Sequence, residues 1–249
     1  MKVSIITATL NNQETVEECF RSVYSQSYKN IEHIVIDGGS TDGTMDVAGR
    51  YGSRISRLVS EPDNGIYYAL NKGIGLATGD IIGFIHADDI YAGPGVVESV
   101  VSRINGNNAD SCYGDLEYVS RNNTETVIRS WKACPYREGL LKKGWMPPHP
   151  TFFVRRGVYE KFGNFNTDLK IAADYELVLR FLGKNGISAH YIPEVLVKMR
   201  VGGKSNRNLI NIAVKSYEDY RALKLNGMDH AAFTVFLKNV SKLPQFIRR

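Results

Sequence analysis

The chain alternates short runs of core-type residues with segments of helical spacing. Val3 to Thr9 is a β-branched run that predicts a buried strand. Val16, Cys19 or Phe20, and Val23 then recur at helical intervals, with Asn11 or Asn12 available as the cap. Ile31 to Ile36 predicts a second strand ending at Asp37, Thr44 to Tyr51 a short helix, and Ile55 to Ser60 a third strand. Ile66, Leu70, Ile74 and Ala77 mark another helical stripe. Ile81 to Ile85 predicts a fourth strand, stopped by His86-Ala87-Asp88-Asp89, and Pro94 suits the first turn of a helix through Val97, Val100, Val101 and Ile104. This alternation predicts an α/β fold with a doubly wound, mostly parallel central sheet.

The second half reads differently. Ser111 to Val119 and Thr126 to Trp131 predict a hairpin around Asn122-Asn123, a small antiparallel element. Pro147-Pro148-His149-Pro150 leads into a strand, Thr151 to Val154. A helix is expected over Ala173 to Leu182, with Glu176 facing solvent, and a late strand over Val195 to Met199. The remainder reads as a C-terminal helical, amphipathic extension. Phe233, Phe236, Leu237, Val240 and Leu243 form its apolar stripe, beside the cations Lys238, Lys242, Arg248 and Arg249. Such a segment either lies on anionic lipid or packs on its own domain or a partner subunit. The expected division is a domain over 1–205, with halves 1–105 and 106–205, followed by the extension 206–249.

Composition narrows the class. The chain has 249 residues, 43% hydrophobic and 23% charged, which excludes disordered, collagen-like and coiled-coil chains. No apolar run is long enough to cross a bilayer. The net charge of +5 is mild; it gives no sign of a nucleic-acid partner but suits an anionic ligand or a membrane surface. Three scattered cysteines, Cys19, Cys112 and Cys134, make neither a disulfide framework nor a zinc pattern. They fit a reducing, cytoplasmic setting. The N-terminal apolar stretch runs straight into Asn11-Asn12-Gln13-Glu14, which marks a strand rather than a signal peptide.

In an open α/β sheet, ligands bind beyond the carboxyl ends of the parallel strands. Three such ends carry polar residues here: Thr7 to Asn11, Asp37 to Thr44, and His86 to Asp89. Asp37-Gly38-Gly39-Ser40-Thr41-Asp42-Gly43-Thr44 is either a ligand loop or a tight turn in which Asp42 or Thr44 caps a helix. Asp88 and Asp89 repel each other at a strand end, and a hard divalent cation holding a diphosphate would offset that repulsion. The competing reading is a helix-capping pair, and His86 alone reads as a satisfied strand-end histidine. Asp174 follows the small pair Ala172-Ala173 and is either a proton acceptor or a first-turn residue suited to the helix dipole. Lys198 to Ser205 mixes cations, two glycines and a hydroxyl, as a phosphate-binding lid or an ordinary basic loop would. No G-x-G-x-x-G follows the first strand and no P-loop motif is present, which disfavours dehydrogenase and P-loop NTPase readings.

Taken in order, VSIITATLNN, IVIDGGSTDGT, SEPDNGIYYALNKGIGLATGD, IIGFIHADD, HPTFFVRRGVYEKFGNFN, ADYELVLR and MRVGGKS resemble family 2 glycosyltransferases of the GT-A fold. The likeness covers about residues 1–205 and is similar to compact bacterial polysaccharide enzymes of the colanic-acid type. It implies an inverting transfer of a sugar from a nucleotide-diphosphate donor, with UDP-sugar first in line, to a hydroxyl of a saccharide or lipid-linked acceptor. By the same resemblance Thr7, Thr9 and Asn11 line the nucleotide pocket, and Asp37 contacts the base or ribose. Asp63 and Lys72 lie near the base and diphosphate, and Asp88 contacts the ribose or sugar. Asp89 holds Mn²⁺ or Mg²⁺, and Asp174 is the general base. His149, Arg200 and the loop to Ser205 are implied to touch the diphosphate or acceptor.

Two departures matter. Relatives often carry Asp where this chain has Tyr68, and the Gln-x-x-Arg-Trp element of processive synthases is absent, which favours single additions. The resemblance also implies a place in cell-surface polysaccharide synthesis at the inner membrane face. The competing classes are a sugar nucleotidyltransferase and an inactive nucleotide-sugar-binding protein. The first usually has a basic Gly-rich loop after its first strand, where this chain has Ala8-Thr9-Leu10-Asn11-Asn12.

Overall fold

The computed structural model describes residues 1–202 and 209–240. Strands β1 (Val3–Thr9), β2 (Ile31–Asp37), β3 (Arg57–Ser60) and β4 (Ile81–Phe84) form a parallel block in the order β3-β2-β1-β4. Both faces of this block are covered, so its central strands read as nearly unbroken apolar runs. Ile6 and Ala8 of β1 face one core, with α3 (Ile66–Leu76) packed over them. Val3 and Ile5 face the other, with α1 (Val16–Tyr24) and α2 (Thr44–Tyr51). Gly73 permits the close approach of α3: a Cβ there would sit 2.4 Å from Cγ2 of Ile6.

The parallel block was legible almost residue by residue, save that the third strand starts at Arg57 rather than Ile55. The rest of the sheet continues as β8 (Phe153–Arg155), β6 (Ser111–Val119), β9 (Ala189–Arg200) and β5 (Asp89–Tyr91), with β7 (Val127–Trp131) as the hairpin partner of β6. β8 is antiparallel to both β4 and β6, and β9 runs parallel to β6 and antiparallel to β5. Three features differ from expectation. β5 and α5 (Arg156–Phe162) were not expected, and β9 starts six residues before Val195.

The helix expected over Ala173 to Leu182 is α6 (Ala173–Val178), which runs on into a π-helical turn, Leu179–Lys184. α4 (Val96–Gly106) covers the sheet beside β6 and β9. α7 (Leu209–Leu225) packs on α6, and α8 (Ala231–Val240) packs on α7.

Because β1 to β3 are parallel and in register, Thr9 lies opposite Asp37 and Asp37 opposite Ser60. The polar strand ends therefore open on one edge of the sheet, as the topology requires.

Candidate active site

The first two strand ends are tied to each other. The Asn11 N–H donates to Ser40 Oγ at 2.8 Å, and Asn11 Oδ1 accepts the Thr41 N–H at 2.9 Å. Asn11 takes a φ of 53°, a left-handed turn that Asn tolerates better than most residues. Thr9 is nearly buried and donates to Asn12 Oδ1 at 3.4 Å.

Two residues expected to line the pocket are instead interior. Thr7 is fully buried and its hydroxyl bonds His33 Nε2 at 3.0 Å. Asp37 is also fully buried. Its carboxylate accepts the N–H groups of Gly39 at 3.1 Å and Ser40 at 2.9 Å, the Ser60 hydroxyl at 2.7 Å, and the Ser40 hydroxyl. Asp37 thus folds its own glycine-rich loop, using carboxylate capacity that a ligand would otherwise need. Asp42 meets the capping alternative: Oδ1 accepts the Thr44 N–H at 2.9 Å, at the start of α2.

Beyond β3, Lys72 lies 2.5 Å from Asp63 Oδ1 and 2.6 Å from Glu61 Oε1. Asp63 keeps a second, buried oxygen without a partner. Lys72 is a part-exposed cation held at the rim by two carboxylates, which raise its pKa.

The corner after β4 brings Asp88, Asp89 and Arg200 together. Asp89 opens β5 and is buried; its Oδ1 accepts the Arg200 N–H at 3.3 Å, while Oδ2 has no partner. Burial first, and then Asp88, push its carboxyl well above the ordinary range. Asp88 is the part-exposed member of the pair. Arg200 was expected at the diphosphate or acceptor, and its position differs. Its guanidinium is buried, donates to the Asp88 carbonyl at 2.7 Å and the Arg121 carbonyl at 3.2 Å, and pairs with Glu18. A guanidinium so engaged braces the corner rather than meeting a ligand. Ser205, the last residue of the expected lid, lies outside the described residues.

Asp174 sits in the first turn of α6 with 21% of its side chain exposed. His149 Nδ1 lies 3.3 Å from its Oδ2. The Tyr67 hydroxyl donates to the Ile171 carbonyl at 2.9 Å and lies 3.4 Å from Asp174 Oδ1. Burial raises the pKa of Asp174, but His149, Lys238 and Lys215 outweigh it, so the carboxyl titrates below its ordinary value. Desolvation lowers His149 to about 4, against the pull of Asp174, so its ring is neutral at neutral pH.

The His149 ring is 5.9 Å from the His86 ring. His86 is not the satisfied histidine expected, since its Nδ1 is buried without a partner. Desolvation lowers its pKa, while Asp88 and Asp174 both act on it in the opposite sense. The His86–His149 pair thus links the segment that carries Asp88 to Asp174 of α6, although 86 positions separate the two carboxylates in the chain.

Tyr67 was missed, although it sits beside Tyr68 in the same motif. Its one signal is helical phase: Tyr67, Asn71 and Ile74 share the α3 face turned toward the α6 side. Glu176 was misread: it is buried, paired with Arg180 at 3.0 Å and bonded by Asn226 at 3.2 Å.

The sequence profile described as glycosyl transferase family 2 matches residues 4–163. The chain belongs to that family. An uncharacterised glycosyltransferase of Mycobacterium tuberculosis is 34% identical to it over 181 residues, 72% of this chain and 68% of the relative. A PGL/p-HBAD biosynthesis glycosyltransferase of Mycobacterium bovis is 30% identical over 208 residues, 82% of this chain and 78% of the relative.

Solved structures share the fold. TarS of S. aureus in complex with UDP superposes with a TM-score of 0.71 at 19% identity, covering 96% of this glycosyltransferase and 70% of that chain. The mannosyltransferase PcManGT of Pyrobaculum calidifontis, in complex with GDP-Man and Mn²⁺, gives 0.68 at 21%, covering 98% and 72%. A longer TarS structure is matched over only 39% of its length. These neighbours bear out the GT-A architecture. Among the described residues of this glycosyltransferase, no helix is long and apolar enough to cross a membrane.

Proposed function

We propose that this glycosyltransferase moves a sugar, with inversion, from a nucleotide-diphosphate-sugar to a hydroxyl of a saccharide or lipid-linked acceptor. The observation that carries this reading is that His86, two residues before Asp88, stands 5.9 Å ring to ring from His149, which lies 3.3 Å from Asp174. Inversion needs a proton acceptor on one side of the anomeric carbon and a stabilised leaving group on the other. Asp174 suits the first role: it is ionised at neutral pH, part-exposed, and oriented by His149 and Tyr67. Asn11, Thr9 and the Asp37 loop form the nucleotide side, with Asp63 and Lys72 at its rim.

The corner residues fit Mn²⁺ or Mg²⁺. Asp89 offers a buried oxygen without a partner and Asp88 a part-exposed carboxylate, oxygen ligands of the kind hard cations take. No cluster of three or more metal-ligating side chains occurs among the described residues, so the donor's own oxygens would complete the shell. When bound, the cation would offset the charge gathering on the departing diphosphate. UDP is the first candidate nucleotide, supported by the UDP and UDP-GlcNAc complexes of TarS; the GDP-Man complex of PcManGT keeps GDP in view. A role in cell-surface polysaccharide or glycolipid assembly is supported by the PGL/p-HBAD relative.

A melting-temperature panel of UDP-, GDP- and dTDP-sugars, with and without Mn²⁺, tests the reading. One donor is expected to raise the melting temperature only with the cation, and slow release of the free nucleoside diphosphate should follow. Pyrophosphate exchange instead would mark a nucleotidyltransferase. Binding without any turnover would mark an inactive binding protein.

A cytoplasmic enzyme that touches the inner membrane face is the setting proposed. Phe233 and Phe236 of α8 are each 60% exposed, as an interfacial helix requires. Lys238, expected among the lipid-facing cations, is buried instead, so α8 meets lipid through its aromatic residues. Joint replacement, Phe233→Ser with Phe236→Ser, is expected to abolish co-sedimentation with anionic vesicles and leave donor hydrolysis unchanged. Equal sedimentation of both proteins would remove the membrane assignment.

A further inference from the structure

The segment that presents Asp174 has no cap of its own. Residue 172, at the N-cap of α6, is an alanine and makes no side-chain bond to the first turn. The amides around it are nevertheless satisfied, from a helix 46 positions away in sequence. Glu218 of α7 is buried, and its carboxylate accepts three successive backbone N–H groups: Lys170 at 3.0 Å, Ile171 at 2.8 Å and Ala172 at 3.0 Å. From the other side, the Ile171 carbonyl takes the Tyr67 hydroxyl at 2.9 Å. The backbone entering α6 is thus held on both edges within three residues of Asp174.

The neighbours of Glu218 extend the grip. Asp219 pairs with Lys238 of α8 at 2.8 Å, both side chains buried, and the Lys238 ammonium lies 3.2 Å from the centre of the Tyr175 ring. Asn226 reaches Glu176 at 3.2 Å. Residues 174, 175 and 176 are therefore each approached or backed by a group fixed from the α7–α8 pair or from α3. The family match ends at residue 163, so Glu218 and the amides it grips lie outside the matched region.

We propose that Glu218 is a positioning residue for Asp174: its carboxylate, gripping the amides of residues 170–172, sets where the base stands, and α7 is part of the catalytic unit. The inference rests on Asp174 being the base. Its physical ground is that a proton acceptor works only within hydrogen-bond reach of the acceptor hydroxyl, and small displacements cost much rate. A carboxylate taking three N–H bonds is a stiff tether, because such charge-assisted bonds are short and directional. The donor-side bonds named above join β1, β2, β3 and α3, so releasing the tether should spare donor binding.

The test compares Glu218→Gln, Asp174→Asn and the wild-type enzyme. Gln keeps the shape but turns an NH₂ group toward amide donors, so the grip cannot be completed. The expected result has three parts. Amide hydrogen exchange at Lys170–Ala172 speeds up, donor affinity by calorimetry stays within about twofold, and kcat for transfer falls by about ten- to a hundredfold. Glu218→Asp, which keeps the charge on a shorter arm, should recover part of the loss; if the Gln variant does not fold, the same three readings are taken on it. Unchanged exchange, unchanged kcat, or a parallel loss of donor affinity and kcat would each overturn the positioning role. If Asp174→Asn retains full transfer, the reading of the base itself has failed, and that outcome is separate from a failure of the clamp.

Discussion

Asp174→Asn is expected to leave donor affinity within about twofold of wild type and to lower turnover by about 10²- to 10⁴-fold, the usual contribution of a positioned general base. The substitution keeps the shape of the side chain and can keep the contact from His149, which approaches Oδ2 at 3.3 Å. What it removes is the basic oxygen. Donor binding should survive because the bonds that form the nucleotide side proposed above, on β1, β2, β3 and at Lys72, do not involve the carboxylate of residue 174.

The pH dependence follows from the same surroundings. Asp174 must be ionised to accept a proton, so activity is lost as pH falls through its pKa. His149, Lys238 and Lys215 hold that pKa below the ordinary value, so transfer should persist down through the ordinary carboxylate range near about pH 4. His149, at about 4, is neutral at neutral pH and takes up a proton only at the acid end of that range. Calorimetry with the donor, beside initial rates across pH, checks both halves. A matched loss of affinity and rate in the Asn variant would place Asp174 in the donor site instead.

The parallel half of the fold was legible because its strands are buried on both faces and their apolar runs have sharp polar ends. β9 extends N-terminally past the expected Val195 to Ala189 and so includes Pro193, which has no N–H to give to a ladder. The structure accommodates it where the β6–β9 register slips, between Tyr113 opposite Tyr191 and Asp115 opposite Val195, so the missing N–H interrupts no regular ladder. β5 is three residues long and exists only because β9 pairs with it, a partner more than a hundred positions away. No local pattern announces such a strand.

The chemistry-bearing types stood out, but their orientation did not. The resemblance implies that Thr7, Asp37 and Arg200 meet the ligand, and the structure turns all three inward. Each is buried and satisfied from within the protein: Thr7 by His33 of the neighbouring strand β2, Asp37 by the Gly39 and Ser40 amides of its own loop and by Ser60 of β3, and Arg200 by Glu18 of α1. Glu176, Glu218 and Lys238 were invisible for a related reason. A charged residue on an amphipathic helix reads as solvent-facing until another helix covers that face and supplies the opposite charge. Here α7 covers α6 and α8 covers α7, which turns surface-type residues into interior pairs.

Removing either corner carboxylate is expected to erase the cation dependence of donor binding. In Asp88→Asn and in Asp89→Asn, donor affinity measured with Mn²⁺ should fall by about tenfold or more, to the value wild type shows in excess EDTA. The argument is electrostatic. Two carboxylates on adjacent residues, one of them buried with an unpartnered oxygen, are held together against repulsion and desolvation. Arg200 relieves this only in part: it gives Asp89 a backbone N–H, while its guanidinium goes to Glu18 and to two carbonyl oxygens. A divalent cation is the group that would balance the corner.

The two variants should then differ without metal. Asp89→Asn removes a buried charge, so its cation-free melting temperature is expected to exceed that of wild type. Asp88→Asn, at a part-exposed position, should change it little. Calorimetric titration of donor with and without Mn²⁺, together with cation-free melting curves, checks both statements. A variant that keeps the full Mn²⁺ effect would remove that carboxylate from the cation's shell. If both kept it, the corner would be a structural brace, and the diphosphate would have to be balanced by the only cation at the rim described above, Lys72, released from Asp63 and Glu61.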